Sequence, residues 1–218
     1  MSDDLILRQR VIDELDFEPR VDAARIGVAA HDGVVTLSGR VASYTEKFAA
    51  ERAARRVRGV TAVAQEIEVH LPSDKKTADD EIAARAARLL NWDILVPHDR
   101  ITINVERGTV TLGGDVEWNY QRAEAEEDVR KLSGVRALIN DIRVRPQVKV
   151  GDVEAKIRAA LERTAETEAH RISVHVTGGK VALSGKVNAW TERETIERAA
   201  WSVPGVTEVD NLIELARP

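Results

Sequence analysis

Ile26-Gly-Val-Ala-Ala-His-Asp-Gly-Val-Val-Thr-Leu-Ser-Gly-Arg-Val41 returns as Ile101-Thr-Ile-Asn-Val-Glu-Arg-Gly-Thr-Val-Thr-Leu-Gly-Gly-Asp-Val116, and again as Ile172-Ser-Val-His-Val-Thr-Gly-Gly-Lys-Val-Ala-Leu-Ser-Gly-Lys-Val187. In the first copy Ile26, Val28 and Ala30 alternate, and Val35, Leu37, Gly39 and Val41 resume the same period. A period of two marks half-buried strands. The pair between them (Asp32-Gly33, Arg107-Gly108, Gly178-Gly179) can supply the positive φ of a tight hairpin turn. Working outward, the same two offsets carry Leu15 to Leu90 and Leu161, Gly59-Val60 to Gly134-Val135 and Gly205-Val206, and Ile67 to Ile142 and Ile213. An unbroken register from about residue 7 to about residue 69 predicts three copies of one unit of about 65–70 residues.

Before each hairpin, apolar residues recur at four-residue steps: Leu7, Val11, Leu15; Ile82, Ala86, Leu90; Val153, Ile157, Leu161. That is one face of a helix, with Thr77-Ala-Asp-Asp80 as a capping start in the second copy. After the hairpin a second helix is predicted over about 45–58, with Ala50, Ala54 and Val57 as its stripe. Ser43-Tyr-Thr-Glu46 and Thr191-Glu-Arg-Glu194 have capping-box spacing. Gly59, Gly134 and Gly205 should end this helix. A last strand follows through Val63, Ile67 and Val69, then Leu138, Ile142 and Val144, then Val209, Ile213 and Leu215. The fold class is therefore α+β: three tandem α-β-β-α-β units, each a three-stranded mixed sheet with two helices on one face. The units are expected over 1–71, 77–145 and 149–216, joined by Leu71-Pro-Ser-Asp-Lys-Lys-Thr77 and Arg145-Pro-Gln-Val-Lys149. Gly39, Gly114 and Gly185 sit inside a strand, in phase with inward residues, so close approach of another backbone is expected, with a helix packed against them.

Composition narrows function. The chain has 218 residues, no cysteine and a net charge of −5, which removes disulfides, thiolate metal sites and a strongly polyanion-seeking surface. No basic stripe continues across the units, so nucleic acid is not an expected partner. No apolar run is long enough for a transmembrane segment. The residues after Met1 do not read as a secretory signal, so a cytoplasmic location is expected.

The string Gly-x-Val-x-Leu-x-Gly-x-Val, read at Gly33–Val41, Gly108–Val116 and Gly179–Val187 with threonine or lysine varying around it, precedes a helix and then Gly-Val-x-x-Val-x-Asn-x-Ile. This pattern resembles the BON domain, a bacterial family named for osmotic-stress and nodulation proteins. Asn140 and Asn211 match its asparagine, while the first unit has Gln65. The resemblance implies a non-enzymatic protein of osmotic or envelope stress that binds phospholipid or other hydrophobic surfaces. One branch of the family implies potassium binding in the cytoplasm instead. No cofactor is implied.

The side chains that could carry chemistry agree with a binding role. His31, His70, His98, His170 and His175 form no metal-ligand spacing. No Ser, His, Asp or Lys recurs in all three units as a catalytic group would, and no metal is expected. Tyr44, Trp118, Tyr120 and Trp190 share the corner where the second strand enters the second helix. They read either as a hydrophobic staple closing the helix start or as a surface for lipid, apolar ligand or protein. Trp201 is off its helix's apolar stripe, where packing between units or a partner surface is expected, and Trp92 reads as core edge. Arg52, Arg55 and Arg56 are candidate anion contacts on an otherwise solvated helix face. Gln65, Asn140 and Asn211 share strand parity with apolar neighbours, so either a bulge turns them outward, or they bond a neighbouring loop, or they contact an ion or ligand, since an inward polar group must be hydrogen-bonded. Three readings stay open: phospholipid or hydrophobic-surface binding, potassium sensing, and a chaperone-like module that pairs a protein partner along open strand edges.

Overall fold

The computed structural model describes residues 3–72, 77–145, 153–163 and 172–216, without the side chains of 161–163. Helix α1 (Asp3–Phe17) leads into β1 (Ile26–His31), β2 (Val34–Val41), α2 (Tyr44–Arg56) and β3 (Ala62–Val69). The second copy runs α3 (Asp79–Trp92), β4 (Ile101–Glu106), β5 (Thr109–Val116), α4 (Asn119–Arg130) and a last strand broken into β6 (Ala137–Asn140) and β7 (Arg143–Val144). The third runs α5 (Val153–Arg163), β8 (Ile172–Thr177), β9 (Lys180–Val187), α6 (Trp190–Trp201) and β10 (Glu208–Leu215). In every copy the hairpin is antiparallel and the last strand lies parallel to the central one, as the helical crossover requires. Most of both joins, the side chain of Leu161 and all of His170 lie outside the described residues.

Each copy has its own core. Leu7, Val11 and Leu15 meet Val35, Leu37 and Ile67 in the first; Ile82, Ala86 and Leu90 meet Val110, Leu112 and Ile142 in the second. Val153 and Ile157 meet Val181, Leu183 and Ile213 in the third. The second helix pairs with the first and lies on the sheet beside it in each unit. The hairpin residues Asp32 and Gly33 stand at φ 48 and 82, and Arg107 and Gly108 at 51 and 77, so the turns are left-handed throughout.

Two local expectations change. Thr77-Ala-Asp-Asp80 does not form a side-chain cap: Ala78 is the N-cap, and Asp79 instead reaches across to accept the N–H groups of Arg107 (2.7 Å) and Gly108 (2.9 Å) in the hairpin turn. Asp4 accepts Asp32 N–H at 2.9 Å in the same way. A carboxylate at the helix start thus ties helix to hairpin in both copies. Gly59, Gly134 and Gly205 lie in the turn beyond the helix and not at its first extended residue.

Gly39 and Gly114 do meet a closely approaching backbone, and the atom that comes nearest is a carbonyl just before the first strand of the hairpin, not the packed helix also expected there. A Cβ on Gly39 would lie 2.1 Å from Arg25 O, and one on Gly114 would lie 2.0 Å from Arg100 O. Both residues are at positive φ, 128 and 114. The hairpin's far end, where a short 3-10 turn enters the first strand, leaves no room for a side chain. Gly39→Ala should therefore cost about 2–4 kcal/mol, from backbone strain and overpacking together; urea unfolding measures it, with Gly27→Ala on the same sheet as the comparison.

Candidate functional site

The corner between second strand and second helix is built alike in the three copies. Ser43 Oγ accepts Glu46 N–H at 3.1 Å, and Glu46 returns to Ala42 N–H at 2.9 Å. Gln121 accepts the N–H groups of Glu117 (3.1 Å) and Trp118 (3.0 Å), and Glu192 accepts Asn188 N–H at 3.3 Å. The third helix begins at Trp190 with Ala189 as its N-cap, so Thr191 and Glu194 are inside the helix and the box predicted there does not form. Glu192 does that work, one position after the residue expected to start it.

With the helix starts fixed, their aromatic residues point at the neighbouring units. Tyr44 packs against the core of the second unit, and Phe48 lies under the Arg130 guanidinium, 3.6 Å from its ring centre. Thr45 Oγ1 donates to Arg130 O at 3.1 Å. Burial raises the Tyr44 hydroxyl pKa, against the pull of Arg130. Trp190 donates its indole N–H to Val60 O at 2.8 Å and stacks with Arg55 at 5.0 Å and Arg193 at 5.2 Å. Trp201, at the end of α6, packs on the second unit's core as well as its own and carries Arg122 at 4.9 Å. Burial lowers the Arg122 pKa, opposed by Glu126 and Glu197. The start of α2 thus meets the end of α4, the start of α4 meets the end of α6, and the start of α6 meets the end of α2. The three contacts close a ring, each made by an aromatic ring and an arginine. Trp201 occupies the position of Arg55 and Arg130, so at that contact the two partners have exchanged helices.

Between α4 and α6 the ring leaves a cleft of about 1080 Å³, floored by Trp190 and Trp201 and edged by Trp118 and Tyr120. Trp118 is 36% exposed and Tyr120 50%. Four of the five aromatic candidates therefore come together, while Tyr44 does not. Of the arginine candidates, Arg55 and Arg56 line one pocket and Arg52 is not among its lining residues. Arg55 pairs with Glu51 and covers Trp190; Arg56 bonds Glu14 at 2.8 Å and Glu18 at 3.2 Å; Arg52 is exposed and near Glu127. One group of metal-ligand type occurs among the described residues, Asp4, His31 and Asp32, with His31 and Asp32 in solvent and Asp4 engaged with the hairpin turn.

A second feature departs from the sequence expectation for Trp92. Trp92, at the end of α3, is 86% exposed, and Ile94 and Leu95 just after it are 97% and 46% exposed. Trp92 is not core edge. Its side chain leaves the helix on the side away from Leu90, and the turn that follows carries two more apolar residues into water. Phe17 stands at the same position in the first unit, 83% exposed. The signal legible in the sequence was Trp92-Asp-Ile-Leu-Val96, four apolar residues in five at a helix end, which has the look of one more buried segment.

A family model for the BON domain matches residues 3–70, 78–146 and 149–217. The chain belongs to the BON domain family. Osmotically-inducible protein Y of Escherichia coli (strain K12) is 30% identical over 148 residues, covering 66% of this chain and 73% of that protein. An uncharacterized protein in the gshII 5' region of Anaplasma centrale is 28% identical over 122 residues, 53% of this chain and 81% of the other. The C-terminal domain of CdsD, a structural protein of the type III secretion system of Chlamydia trachomatis, covers both chains fully at 16% identity with a TM-score of 0.27, too loose a match to build on.

The BON asparagine holds sheet to helix. Asn140 donates to Glu126 at 3.0 Å and to Arg122 O at 3.1 Å, and Asn211 donates to Glu197 at 2.8 Å. In the first unit Gln65 accepts Ile67 N–H but leaves its own buried Nε2 without a partner. The end of α1 differs more. Glu18, 6% exposed, is gripped by Arg20 and Arg56, and these hold its pKa down to about 2, Arg20 contributing most. At the same four positions the second BON unit has Leu89 for Glu14, Asp93 for Glu18, Leu95 for Arg20 and Lys131 for Arg56. An ionic cluster has become an apolar tip.

Two outcomes follow for the BON ring. Trp190→Phe, which keeps a ring and loses the bond to Val60 O, should cost about 1 kcal/mol, and Trp190→Ala about 3 kcal/mol, by urea unfolding. Because Glu18 has a lower pKa folded than unfolded, the unfolded chain takes up its proton first as pH falls. The stability due to Glu18 is thus complete above about pH 4.5 and lost toward about pH 2. Glu18→Gln should flatten that part of the stability–pH curve.

Proposed function

We propose that this BON protein is a non-enzymatic, stress-associated binding protein that attaches to phospholipid or a comparable apolar surface through Trp92, Ile94 and Leu95. The observation that carries the reading is the exposure of these three side chains on one turn, 86%, 97% and 46%. Isolated exposed apolar residues are ordinary, but three within four positions at a helix end support an interaction site. An indole beside aliphatic groups also suits the boundary between headgroups and acyl chains. The name of the Escherichia coli relative, an osmotically inducible protein, supports the association with stress.

Magnitudes make the attachment reversible. Burying a large apolar side chain is worth about 1.5–3 kcal/mol, so the tip supplies roughly 5 kcal/mol before ordering costs. That is similar to one acyl anchor and short of permanent attachment. The basic residues first suspected of holding anionic lipid contribute little, since Arg55 and Arg56 are paired with Glu51, Glu14 and Glu18. Trp190 and Trp201 serve the ring.

Flotation with vesicles of mixed zwitterionic and anionic phospholipid tests the reading. Trp92→Ala and Ile94→Ala should each weaken binding about tenfold, and Trp118→Ala should leave it unchanged. Loss with Trp118→Ala alone would move the site to the cleft. No flotation at any composition would remove the surface reading. Thermal stability that rises in potassium over sodium at equal ionic strength would then favour ion sensing, and a specific partner recovered along the open edges of β1 or β3 would favour a protein-interaction role.

A further inference from the structure

We propose that the cleft between α4 and α6 binds a small carboxylic acid with an apolar body, its carboxylate held by the Arg122 guanidinium. The site is separate from the apolar tip and does not rest on it. Lys47, Arg122 and Arg193 occupy one position in the three units. In the first and third units that cation fastens the second helix to the last strand. Lys47 Nζ donates to Ile67 O at 2.7 Å, and Arg193 donates to Ile213 O at 3.1 Å and to Asn211 O at 2.7 Å. The middle unit departs from this. Its last strand is interrupted between Asn140 and Arg143, and Arg122 lies instead over the Trp201 ring, 4.9 Å from its centre.

This leaves a cation with nothing to hold. Among the described residues the Arg122 guanidinium makes no ion pair and donates no hydrogen bond. Glu126 and Glu197 act on it through their charge alone, and each is engaged elsewhere: Glu126 with Arg130 and Asn140, Glu197 with Asn211. Arg122 is half-buried and lines the cleft. A guanidinium carries five N–H donors in a planar fork that matches a carboxylate. Partly withdrawn from water and unpaired, it gains more from such an anion than a solvated arginine would.

The walls specify the rest of the ligand. Trp118 and Tyr120 edge the same cleft, partly exposed, and no guanidinium covers either ring among the described residues. They offer an apolar body a place to stack. Asn119 stands between them in the chain, and its buried Oδ1 accepts nothing, so a ligand N–H or hydroxyl would satisfy it. Four arginines and three glutamates line the cleft, which a single negative charge balances. Glu124 and Glu194 on the lining weigh against a dianion such as a phosphate monoester.

Isothermal titration of the whole chain with N-acetyltryptophan tests the site, with the uncharged N-acetyltryptophan amide and inorganic phosphate as comparison probes. The acid should bind with a dissociation constant of about 1 mM or tighter. The amide should bind about tenfold more weakly or worse, since it cannot accept the charged fork. Phosphate at equal concentration should not displace the acid. Arg122→Gln should abolish the preference for acid over amide, and Arg122→Lys should keep part of it. Because Arg122 also packs on Trp201, Tyr120→Ala provides a variant that leaves that contact intact; it should weaken acid and amide alike by about fivefold. No binding of the acid, equal binding of acid and amide, or a preference that survives Arg122→Gln overturns the site. Tighter binding of phosphate than of the acid overturns the assignment to a carboxylate with an apolar body.

Discussion

Three small sheets with two helices each could hang on a string; in this chain they do not, because arginine and aromatic side chains at the ends of α2, α4 and α6 lock each unit onto the next. The reason for the lock is size. A unit of this length buries only part of the surface its unfolded chain exposes and has little stability to spare. Rings laid against guanidinium groups cover apolar area while leaving the charge partly solvated, which a plain hydrophobic contact could not do beside so many ionised residues. The middle unit gains most, since its core receives Tyr44 from one side and Trp201 from the other.

That constraint also governs what the side chains are free to do. Trp190 and Trp201 look like ligand residues until the neighbouring units are in place, and then each has a guanidinium on its face. Arg55 and Arg56 look like anion contacts until Glu51, Glu14 and Glu18 are beside them. What remains unclaimed is at the periphery: Trp118 and Tyr120 on the cleft, and the turn of Trp92, Ile94 and Leu95. The repeats are equal in fold and unequal in surface. Where the first unit closes the end of its first helix with an ionic cluster, the second puts apolar groups.

The hairpins, the helix stripes and the mixed sheet were legible because each rests on local chemistry. Asp32-Gly33 can form a left-handed turn wherever it occurs, and Leu7, Val11 and Leu15 share a helix face in any context. Asp79 has the spacing of a cap, but its real partners, the amides of Arg107 and Gly108, are nearly thirty residues away. Gly39 is a site of close approach, as its place in the strand implies, yet the atom approaching it is the Arg25 carbonyl. Of the candidate site, the aromatic corner was visible as a cluster of residue types, and four of its five members do line one cleft.

The sequence by itself determined the threefold repeat, the fold of each unit and the family, since these follow from periodicity, turn chemistry and a motif copied in register. Only the tertiary structure decided which aromatic residues are spent between units and which face water. Trp190 begins α6 and Trp92 ends α3, and neither place in the sequence says which ring another unit will cover. One meets Arg55 and a carbonyl of the first unit and the other meets solvent, a difference made by surfaces that are distant along the chain and adjacent only once it has closed on itself.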